Sequence, residues 1–495
     1  MGKGLIEKKG SVTIYLALTL SVMLSLFLTL IEGARISAVR MQTECAMDIS
    51  LYSVFAEYNR ELLEQYDLFF IDNSYGSGNC AIGNTEEHFK EYMSDNVEQN
   101  LGIADYAVRD LLAMKVEHVQ INQFTLATDD QGEVFRRQAV SYVKDKYGLS
   151  YIKELKKSME QAADANLLKR DITKERNDNQ KAIEDTELPK KKVGEDEWEE
   201  IPLDNPADEV NASRNKGVLS LVTKKDAQLS NETIASANYI SHRKKSKGAG
   251  LLEREGLSET DELFFYGYLL DKFGTYVNPL EKSRLKYQIE YILAGKENDM
   301  DNLKWVVNRL LLIRETANVV YLFSNDVKMA EAEALALTLS AVIQLPELAK
   351  LVQVAILFAW AYAESVYDVK QLLAGRRVPL LKTDETWHFG LEGMLSYEEG
   401  LEDAKEKDAK VKDAKEKDTL AEGLSYEDYL MVLLTTVSKE TKTFRAMDLI
   451  EMDIRKTAGN EAFRMDGCVD YIDATAFVHS GFGYDCDITR DYCYF

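Results

Sequence analysis

Proline and histidine are scarce in this 495-residue sequence, and basic residues are outnumbered by acidic ones. There are six prolines, and none of them comes before Pro189. Because proline breaks helices, this scarcity is typical of long helical segments. Five histidines are scattered, and none stands three or four residues from another, which excludes the usual helical metal pairs. The 60 lysines and arginines face 84 aspartates and glutamates, a net charge of −24, so we expect no nucleic-acid partner.

The short motifs that accompany catalysis are also missing. The sequence contains no GxSxG, no HExxH, no P-loop and no GxGxxG after a predicted strand. Cys468 and His479 form a nominal thiol–imidazole pair, but nothing in the sequence orients them. We therefore predict no catalytic, cofactor-binding or metal-binding residues, no cofactor and no small-molecule substrate, and we expect that the protein is not an enzyme.

The C-terminal segment raises two weaker possibilities. Cys486 and Cys493 are close in sequence and could form a disulfide in an oxidising space, although reduced thiols are an equally good interpretation. Asp485, Asp487 and Asp491 could hold Ca²⁺ loosely, but the stretch lacks the glycine and the distal glutamate of an EF-hand loop. A solvated acidic tail is the preferred interpretation.

The most informative feature that is present is an uncharged run from Val12 to Ile31. Twenty residues form a helix about 30 Å long, which matches the hydrocarbon core of a bilayer. Seven leucines, two isoleucines, two valines and one phenylalanine contribute about −4 to −7 kcal/mol to insertion, and the five serines and threonines offset only part of it. We predict a transmembrane helix at residues 12–31, with the lipid bilayer as its partner.

The sequence leaves the fate of this helix open between a signal, an anchor and a pilin-type segment. A secretory signal has a shorter apolar region and an A-x-A-like site, whereas this run is followed by EGAR, so a retained anchor is favoured. Lys3, Lys8 and Lys9 then keep the N-terminus cytoplasmic, and the bulk of the chain is extracellular in a single-pass protein of the cell membrane. The border at Gly10 also resembles a prepilin cleavage site, but Tyr15 replaces the glutamate expected there.

Apolar residues continue beyond the run at spacings of three and four, which predicts one helix from Val12 to about Gln65. Three strand-like stretches follow, at Tyr66–Asp72, Val116–Ala127 and Val469–Val478. An interruption of the alternation in the second stretch predicts a bulge. Since two strands make a marginal sheet and an unpaired strand would aggregate, we predict that all three pair in one sheet on the N-terminal helix.

The remaining segments predict helices between loops. Thr85 is the expected N-cap of one helix, Gly148 the expected end of the next, and the stretch 186–215 the clearest linker. A helix is expected from Pro279 to Ala294, and two core helices are expected on either side of Pro346. Capping boxes are predicted at Ser258 with Asp261 and at Ser425 with Asp428. A basic loop at 241–250 and His118 are best explained as surface features.

The predicted fold class is α+β and mainly helical: a single N-terminal transmembrane helix continuing into a long helix, a small antiparallel sheet and a large helical insertion at 150–457. The expected organisation is a cytoplasmic tail at 1–11, the transmembrane helix at 12–31, a membrane-proximal α/β part at 32–149, polar helices and a charged linker at 150–250, a helical domain with a charged repeat (403–418) at 251–459, and a C-terminal strand and tail at 460–495.

Several stretches together resemble a known family: GSVTIYLALTLSVMLSLFLTLIEGAR, YDLFFID, FTLATDDQGEVFRRQAVSYVKDKYG, QIEYILAGKENDMDNLKWVVNRLLLIRETANVVYLF and VDYIDATAFV. They resemble an uncharacterised family of membrane-anchored proteins of Gram-positive anaerobes, often encoded beside tight-adherence (Flp-type) pilus genes. The resemblance spans nearly the whole chain and supplies no catalytic residues. It implies a pseudopilin-like or accessory role, with pilus or secretion-system proteins as partners.

Two hypotheses of different classes follow. The first is a membrane-anchored structural or accessory component of a tight-adherence, type IV-like pilus or secretion assembly that acts through protein–protein contacts. The alternative is a membrane-anchored extracytoplasmic enzyme or sensor, with a pocket among the helices of 258–457. A convergent set of buried polar groups in one cavity would favour the alternative.

Overall fold

The structure is a computed structural model that describes residues 7–98, 112–164, 170–192, 198–201, 205–214, 217–223, 228–250, 256–342, 344–395 and 423–494. The chain divides into two compact units. The sheet unit comprises Met1–Gln138, Lys244–Gly256 and Ile454–Phe495, and the helical unit comprises Ala139–Arg243 and Leu257–Asp453. The predicted class, α+β and mainly helical with a helical insertion, is confirmed.

The sheet unit holds one antiparallel sheet and the helices around it. Its elements, in chain order, are α1 Glu7–Phe55, α2 Arg60–Tyr66, β1 Ile71–Asp72, α3 Ile82–Val97, β2 Met114–Leu126, the beginning of α4 Asp129–Asp164, and, after the helical unit, β5 Cys468–Ser480 and β6 Tyr484–Cys493.

The helical unit consists mainly of α-helices with one small hairpin. Its elements are the remainder of α4, α5 Ile172–Glu184, β3 Lys190–Lys192, β4 Trp198–Glu200, α6 Pro206–Arg214, α7 Val218–Val222, α8 Glu259–Lys272, α9 Gln288–Ala294, α10 Asp299–Ser324, α11 Asp326–Val342, α12 Ala349–Leu373, α13 Leu391–Leu395, α14 Tyr426–Leu434 and α15 Lys439–Ile454, which ends in the sheet unit. Short 3-10 turns lie at Ser236–Asn238, Pro346–Leu348 and, in the sheet unit, Met465–Gly467.

The late strand β5 pairs with both early strands in one sheet, as the sequence predicted, and it is the centre of that sheet. It pairs antiparallel with β2 along one edge and with β1 and β6 along the other. Ile71 is the partner of Val469, and Val116 is the partner of Val478. The predicted irregularity of β2 is also present, with register shifts between Val116 and His118 and at two later points.

The second half of α1 packs on this sheet, which confirms the predicted position of the long helix. Val39, Met47, Leu51 and Val54 are buried in one hydrophobic cluster with residues of β2, β5 and β6. The spacing of these residues places them on one side of a helix. α1 therefore joins the apolar N-terminal segment to a folded core without a break.

The prediction that this helix reaches Gln65 is wrong, because α1 ends at Phe55. Asn59 starts α2 instead: its side chain accepts the N–H of Leu62 at 3.1 Å, and its own N–H donates to the carbonyl of Phe70 at 2.9 Å. Asparagine is among the best N-cap residues, so the chain turns here and begins a second, short helix.

The stretch predicted as a strand at Tyr66–Asp72 forms a strand only at its end. Tyr66 closes α2, and Asp67 adopts a left-handed conformation whose N–H bonds back to the helix. Leu68, Phe70 and Ile71 are fully buried, which explains the apolar pattern that suggested a strand. Conversely, the segment interpreted as a solvated tail is β6, which pairs with β5 over its whole length.

Three local predictions in helices and linkers need correction. α3 begins at Ile82, with Ala81 as its N-cap, so Thr85 lies inside the helix. α4 continues past Gly148, which takes φ +65° within it. The stretch 186–215 is structured in its described parts, with the β3–β4 hairpin and with α6, where the sparse apolar residues Ala207 and Val210 are both buried. The charged repeat at 403–418 lies outside the described residues.

The helical unit bears out several capping predictions. Ser258 and Asp261 form a reciprocal capping box at the start of α8, and Ser425 and Asp428 form one at the start of α14. α11 and α12 flank Pro346 as expected. α12 is a core helix, since the most apolar 18 residues of Pro346–Leu373 are 78% buried. α11 was predicted to be a core helix as well, but it buries only Ala332, Ala336 and Ser340.

The helix expected from Pro279 is shorter than predicted. α9 begins only at Gln288, although it ends before a left-handed Gly295 as expected. The carboxylate of Asp299 accepts the N–H groups of Lys286 and Tyr287 at 2.9 and 3.2 Å. These two peptide groups are therefore held out of a helical hydrogen-bond pattern.

Candidate functional site

The first half of α1 is apolar and uncovered on all sides. All fourteen bulky apolar side chains between Val12 and Ile31 are exposed, by 51 to 69%. The helix that contains them has a mean hydropathy of 2.3 in its most apolar window, and none of that window is buried. Uncovered apolar surface of this extent is costly in water, which makes this segment a candidate membrane anchor or signal.

A second exposed face of α1 continues beyond the apolar run. Met41, Ile49 and Tyr52 are exposed on one side of the helix with Cys45 between them, and Ile36 is exposed on the opposite side. Arg40 and Glu44 form an ion pair one helical turn apart at 3.2 Å. The exposed apolar side chains make this face of α1 a candidate surface for contact with another protein.

The helical unit contains a buried ion cluster between α10 and α12. The guanidinium of Arg314 on α10 donates twice to the Asp368 carboxylate on α12, at 3.0 and 2.8 Å. Its other N–H groups donate to the carbonyls of Pro379 and Leu380, to the Tyr429 hydroxyl and to the Asn318 side chain. Burial by itself lowers the pKa of Arg314, but the adjacent Asp368 outweighs it and the net pKa is raised.

Lys382 extends this cluster to a second carboxylate. Its Nζ lies 2.7 Å from an Asp368 oxygen and 2.5 Å from a Glu364 oxygen, and it also donates to the carbonyl of Thr386 at 2.9 Å. The other Glu364 oxygen accepts the N–H of Phe389 at 2.8 Å. Burial by itself raises the pKa of Glu364, but Lys382 and His388 lower it, so the carboxylate stays ionised.

The chemistry of this cluster is that of a structural ion network. All three hydrogens of the Lys382 ammonium have an acceptor, and every nitrogen of the Arg314 guanidinium donates to at least one. Groups that satisfy one another in this way hold α10, α12 and the segment after α12 together. The charged groups of the cluster therefore bind one another.

Two buried carboxyl groups lie apart from this cluster. Glu290 on α9 accepts the Tyr426 hydroxyl at 2.7 Å and the N–H of Tyr276 at 2.8 Å, and burial raises its pKa to about 7. Asp448 on α15 accepts the Tyr291 hydroxyl at 2.9 Å, and burial raises its pKa to about 6. Both carboxyls face tyrosines across helix–helix contacts.

Sequence reasoning missed the ion cluster, although a signal for it existed. Arg314 interrupts the apolar run LLLIRETANVV, and Glu364 and Asp368 stand one helical turn apart in FAWAYAESVYDVK. Charged residues on the core side of an apolar helix are rare unless they are paired. What the sequence did not indicate is that Lys382, from a later segment, supplies the shared cation.

The residues considered for thiol chemistry are far apart. Cys468 and His479 lie at opposite ends of β5, eleven residues or about 36 Å along a strand. Cys486 and Cys493 lie seven residues apart on β6, about 23 Å, which is too far for a disulfide between them. His118 is exposed and stacks on Phe477 with ring centroids 4.0 Å apart, as a surface residue of β2.

The acidic residues of β6 belong to the outer face of the sheet. Asp485 lies 2.7 Å from the imidazole of His479. Asp487 and Asp491 follow two and six residues later, and this even spacing places them on the same face of the strand. Within the described part of the chain, no group of three or more potential ligands is placed to hold a metal ion. The basic loop at 241–250 divides between the units, and its Gly248 N–H donates to Asp129 at 3.0 Å in the sheet unit.

Comparisons with known proteins place the chain in a family. Neither the curated proteins nor the solved structures include a match to it. A family model described as a family of unknown function (DUF5702) matches residues 196–480, which are 285 of the 495 residues. This region contains most of the helical unit and the whole of β5. The chain therefore belongs to the family of unknown function DUF5702.

Proposed function

We propose that the protein is a membrane-anchored structural or accessory component of a tight-adherence, type IV-like pilus or secretion assembly, acting through protein–protein contacts. The observation that carries this proposal is the continuity of α1 from Glu7 to Phe55. Its first half is apolar and uncovered, and its second half is built into the core of the sheet unit. A half-embedded helix of this kind resembles the N-terminal helix of pilins and pseudopilins.

The buried ion cluster of the helical unit supports a structural role over the alternative of an enzyme or sensor. An active site needs polar groups that converge on a position where a substrate can bind. Here Arg314, Asp368, Lys382 and Glu364 bind one another. Their arrangement rigidifies the helical unit, which suits a domain that presents a fixed surface to partners.

The proposed topology follows from the same helix. Residues 12–31 span the membrane, the preceding lysines stay in the cytoplasm, and residues 32–495 are extracellular. Proteinase added to intact protoplasts should digest the extracellular part, whereas full protection would contradict this orientation. N-terminal sequencing of the mature protein should find residues 11–31 retained, and a start between Ala34 and Ala46 would rule out a retained anchor.

Photo-crosslinking from α1 tests the function itself. A benzophenone amino acid replaces Met41, which is 65% exposed, in the full-length protein in its native cell. The same replacement at Met47, which is fully buried, is the matched control. We expect adducts with pilus or secretion-system subunits from position 41 and none from position 47. Adducts confined to unrelated proteins, or equal labelling from both positions, would contradict the proposal.

A further inference from the structure

The turn between β5 and β6 carries an exposed aromatic residue on a rigid support. The turn runs from Ser480 to Tyr484 with the sequence SGFGY. The N–H of Gly481 donates to the carbonyl of Ala113 at 2.7 Å, and the N–H of Gly483 donates back to Ser480 at 2.8 Å. Phe482, at the tip between the two glycines, is 41% exposed.

The contact with Arg35 places this turn at a defined position along the axis of α1. The guanidinium of Arg35 lies over the Phe482 ring, 4.1 Å from its centroid, and also lies 3.6 Å from the Glu32 carboxylate. Because α1 is unbroken, Arg35 stands four residues beyond Ile31, or about 6 Å along the axis. Phe482 is therefore held a few ångströms beyond the end of the apolar run.

This axial position of Phe482 corresponds to the polar interfacial region of a membrane. The polar interfacial region on each side of the hydrocarbon core is roughly 5–8 Å thick. If residues 12–31 span the core, Phe482 lies inside this layer, where the apolar faces of interfacial segments carry phenylalanine and arginine extends its charge toward the headgroups. Asp485, the first acidic residue after the turn, lies 2.7 Å from the imidazole of His479.

We propose that the β5–β6 turn is a second membrane contact, in which Phe482 inserts into the headgroup region beside the exit of α1. The bilayer is the occupant because the exposed ring packs on Arg35, which lies about 6 Å beyond the exposed apolar surface of residues 12–31. The contact holds the sheet unit upright on the membrane at two points. This inference rests on the anchor in the proposed function.

Tyr52, near the C-terminal end of α1, provides a reference position that an upright sheet unit keeps away from the membrane. Tyr52 is exposed on α1, and its ring contacts Tyr492 of β6 with centroids 5.1 Å apart. It lies seventeen residues beyond Arg35, or about 26 Å farther along the axis. An upright sheet unit keeps Tyr52 well outside the interfacial layer, whereas a unit lying flat would bring it to the surface.

Fluorescence quenching by brominated lipids tests the contact on the full-length protein in phosphatidylcholine vesicles. Phe482→Trp, Tyr52→Trp and Val22→Trp are compared, and the signal of the native tryptophans, measured on the parent protein, is subtracted. We expect bromine near the headgroups to quench the added fluorescence of Phe482→Trp and bromine at mid-chain to quench that of Val22→Trp. The added fluorescence of Tyr52→Trp should be unaffected by both.

The outcomes separate the inference from the anchor on which it rests. Quenching of Val22→Trp without quenching of Phe482→Trp would overturn the second contact and leave the anchor intact. Failure to quench Val22→Trp would overturn both. Equal quenching of Tyr52→Trp and Phe482→Trp would show a unit lying flat and would also overturn the inference. If Phe482→Trp disturbs hydrogen exchange in β5, Tyr484→Trp serves as the probe, with the same expected result.

Discussion

Gln138 and Asp470 are hydrogen-bonded inside the sheet unit, where the Gln138 Nε2 donates to an Asp470 carboxylate oxygen at 2.8 Å across 332 positions of sequence. The same amide binds both sides of Phe69, accepting its N–H at 2.8 Å and donating to its carbonyl at 2.7 Å. One buried side chain therefore joins α4, the segment before β1 and the central strand β5.

Replacing this amide should loosen the sheet. Gln138→Leu removes both hydrogen bonds to Phe69 and one to Asp470, and each buried group left unsatisfied costs about 1–3 kcal/mol. We expect the amides of β5 to exchange with solvent roughly tenfold to a hundredfold faster. Gln120→Leu, at an exposed position of β2, is the control. Equal exchange in the two variants would show that Gln138 has no such role.

Removal of the C-terminal strands should affect the whole sheet unit. Truncation after Gly459 deletes β5 and β6, and with β5 it removes the pairing partner of β1 and β2. Leu51 and Val54 of α1 would then lose the sheet side of their hydrophobic cluster. Limited proteolysis should cut within residues 39–138 of the truncated protein, whereas a chain lacking only Phe495 should resist. Protection retained after the truncation would contradict the central position of β5.

The buried ion cluster should be sensitive to loss of its shared cation. Lys382→Met leaves Glu364 and Asp368 buried without the charge that lies between them, and breaking such a group typically costs about 3–5 kcal/mol. The thermal midpoint should fall, and tryptophan fluorescence reports it because Trp360 packs in the same unit. The matched control is Lys304→Met, at an exposed position of α10.

A further variant checks the reason for that loss. Adding Glu364→Gln to Lys382→Met removes the uncompensated negative charge, and Asp368 stays paired with the Arg314 guanidinium. The thermal midpoint should then recover in part relative to the single variant. A single variant that melts with the parent, or a double variant less stable than the single one, would contradict an electrostatic origin.

Glu290 should make the helical unit less stable as the pH rises. Burial raises its folded pKa to about 7, above the value of about 4.3 for an unfolded glutamate. Between these values the folded state binds more protons than the unfolded state, so stability falls from about pH 4.3 to pH 7 and then stays level. The loss is on the order of 3 kcal/mol.

Glu290→Gln isolates this contribution from that of Asp448, which acts in the same direction. We expect the variant to lose less stability than the parent between pH 5 and pH 8, as measured by urea denaturation at a series of pH values. The Tyr426 hydroxyl can still donate to the amide oxygen, so packing is kept. Parallel profiles for parent and variant would show that Glu290 does not titrate in this window.

The sequence by itself determined the features that depend on residues close to one another in the chain. The apolar run from Val12 to Ile31, the capping boxes of α8 and α14, and the helices on either side of Pro346 are all encoded by neighbouring residues. The return of β5 was also predictable, because an apolar strand needs partners and the other strand signals lay early in the chain.

Only the tertiary structure decided the points that depend on distant partners. α1 ends at Phe55 because Asn59 bonds to Phe70 and to Asn460, 401 residues away. Glu364 and Asp368 could be recognised as charges in an apolar helix, but their compensation by Lys382 follows from packing. Helix capping and hydrophobic periodicity depend on neighbouring residues, so the sequence shows them directly. Burial and charge pairing depend on distant residues, which meet only once the chain has folded.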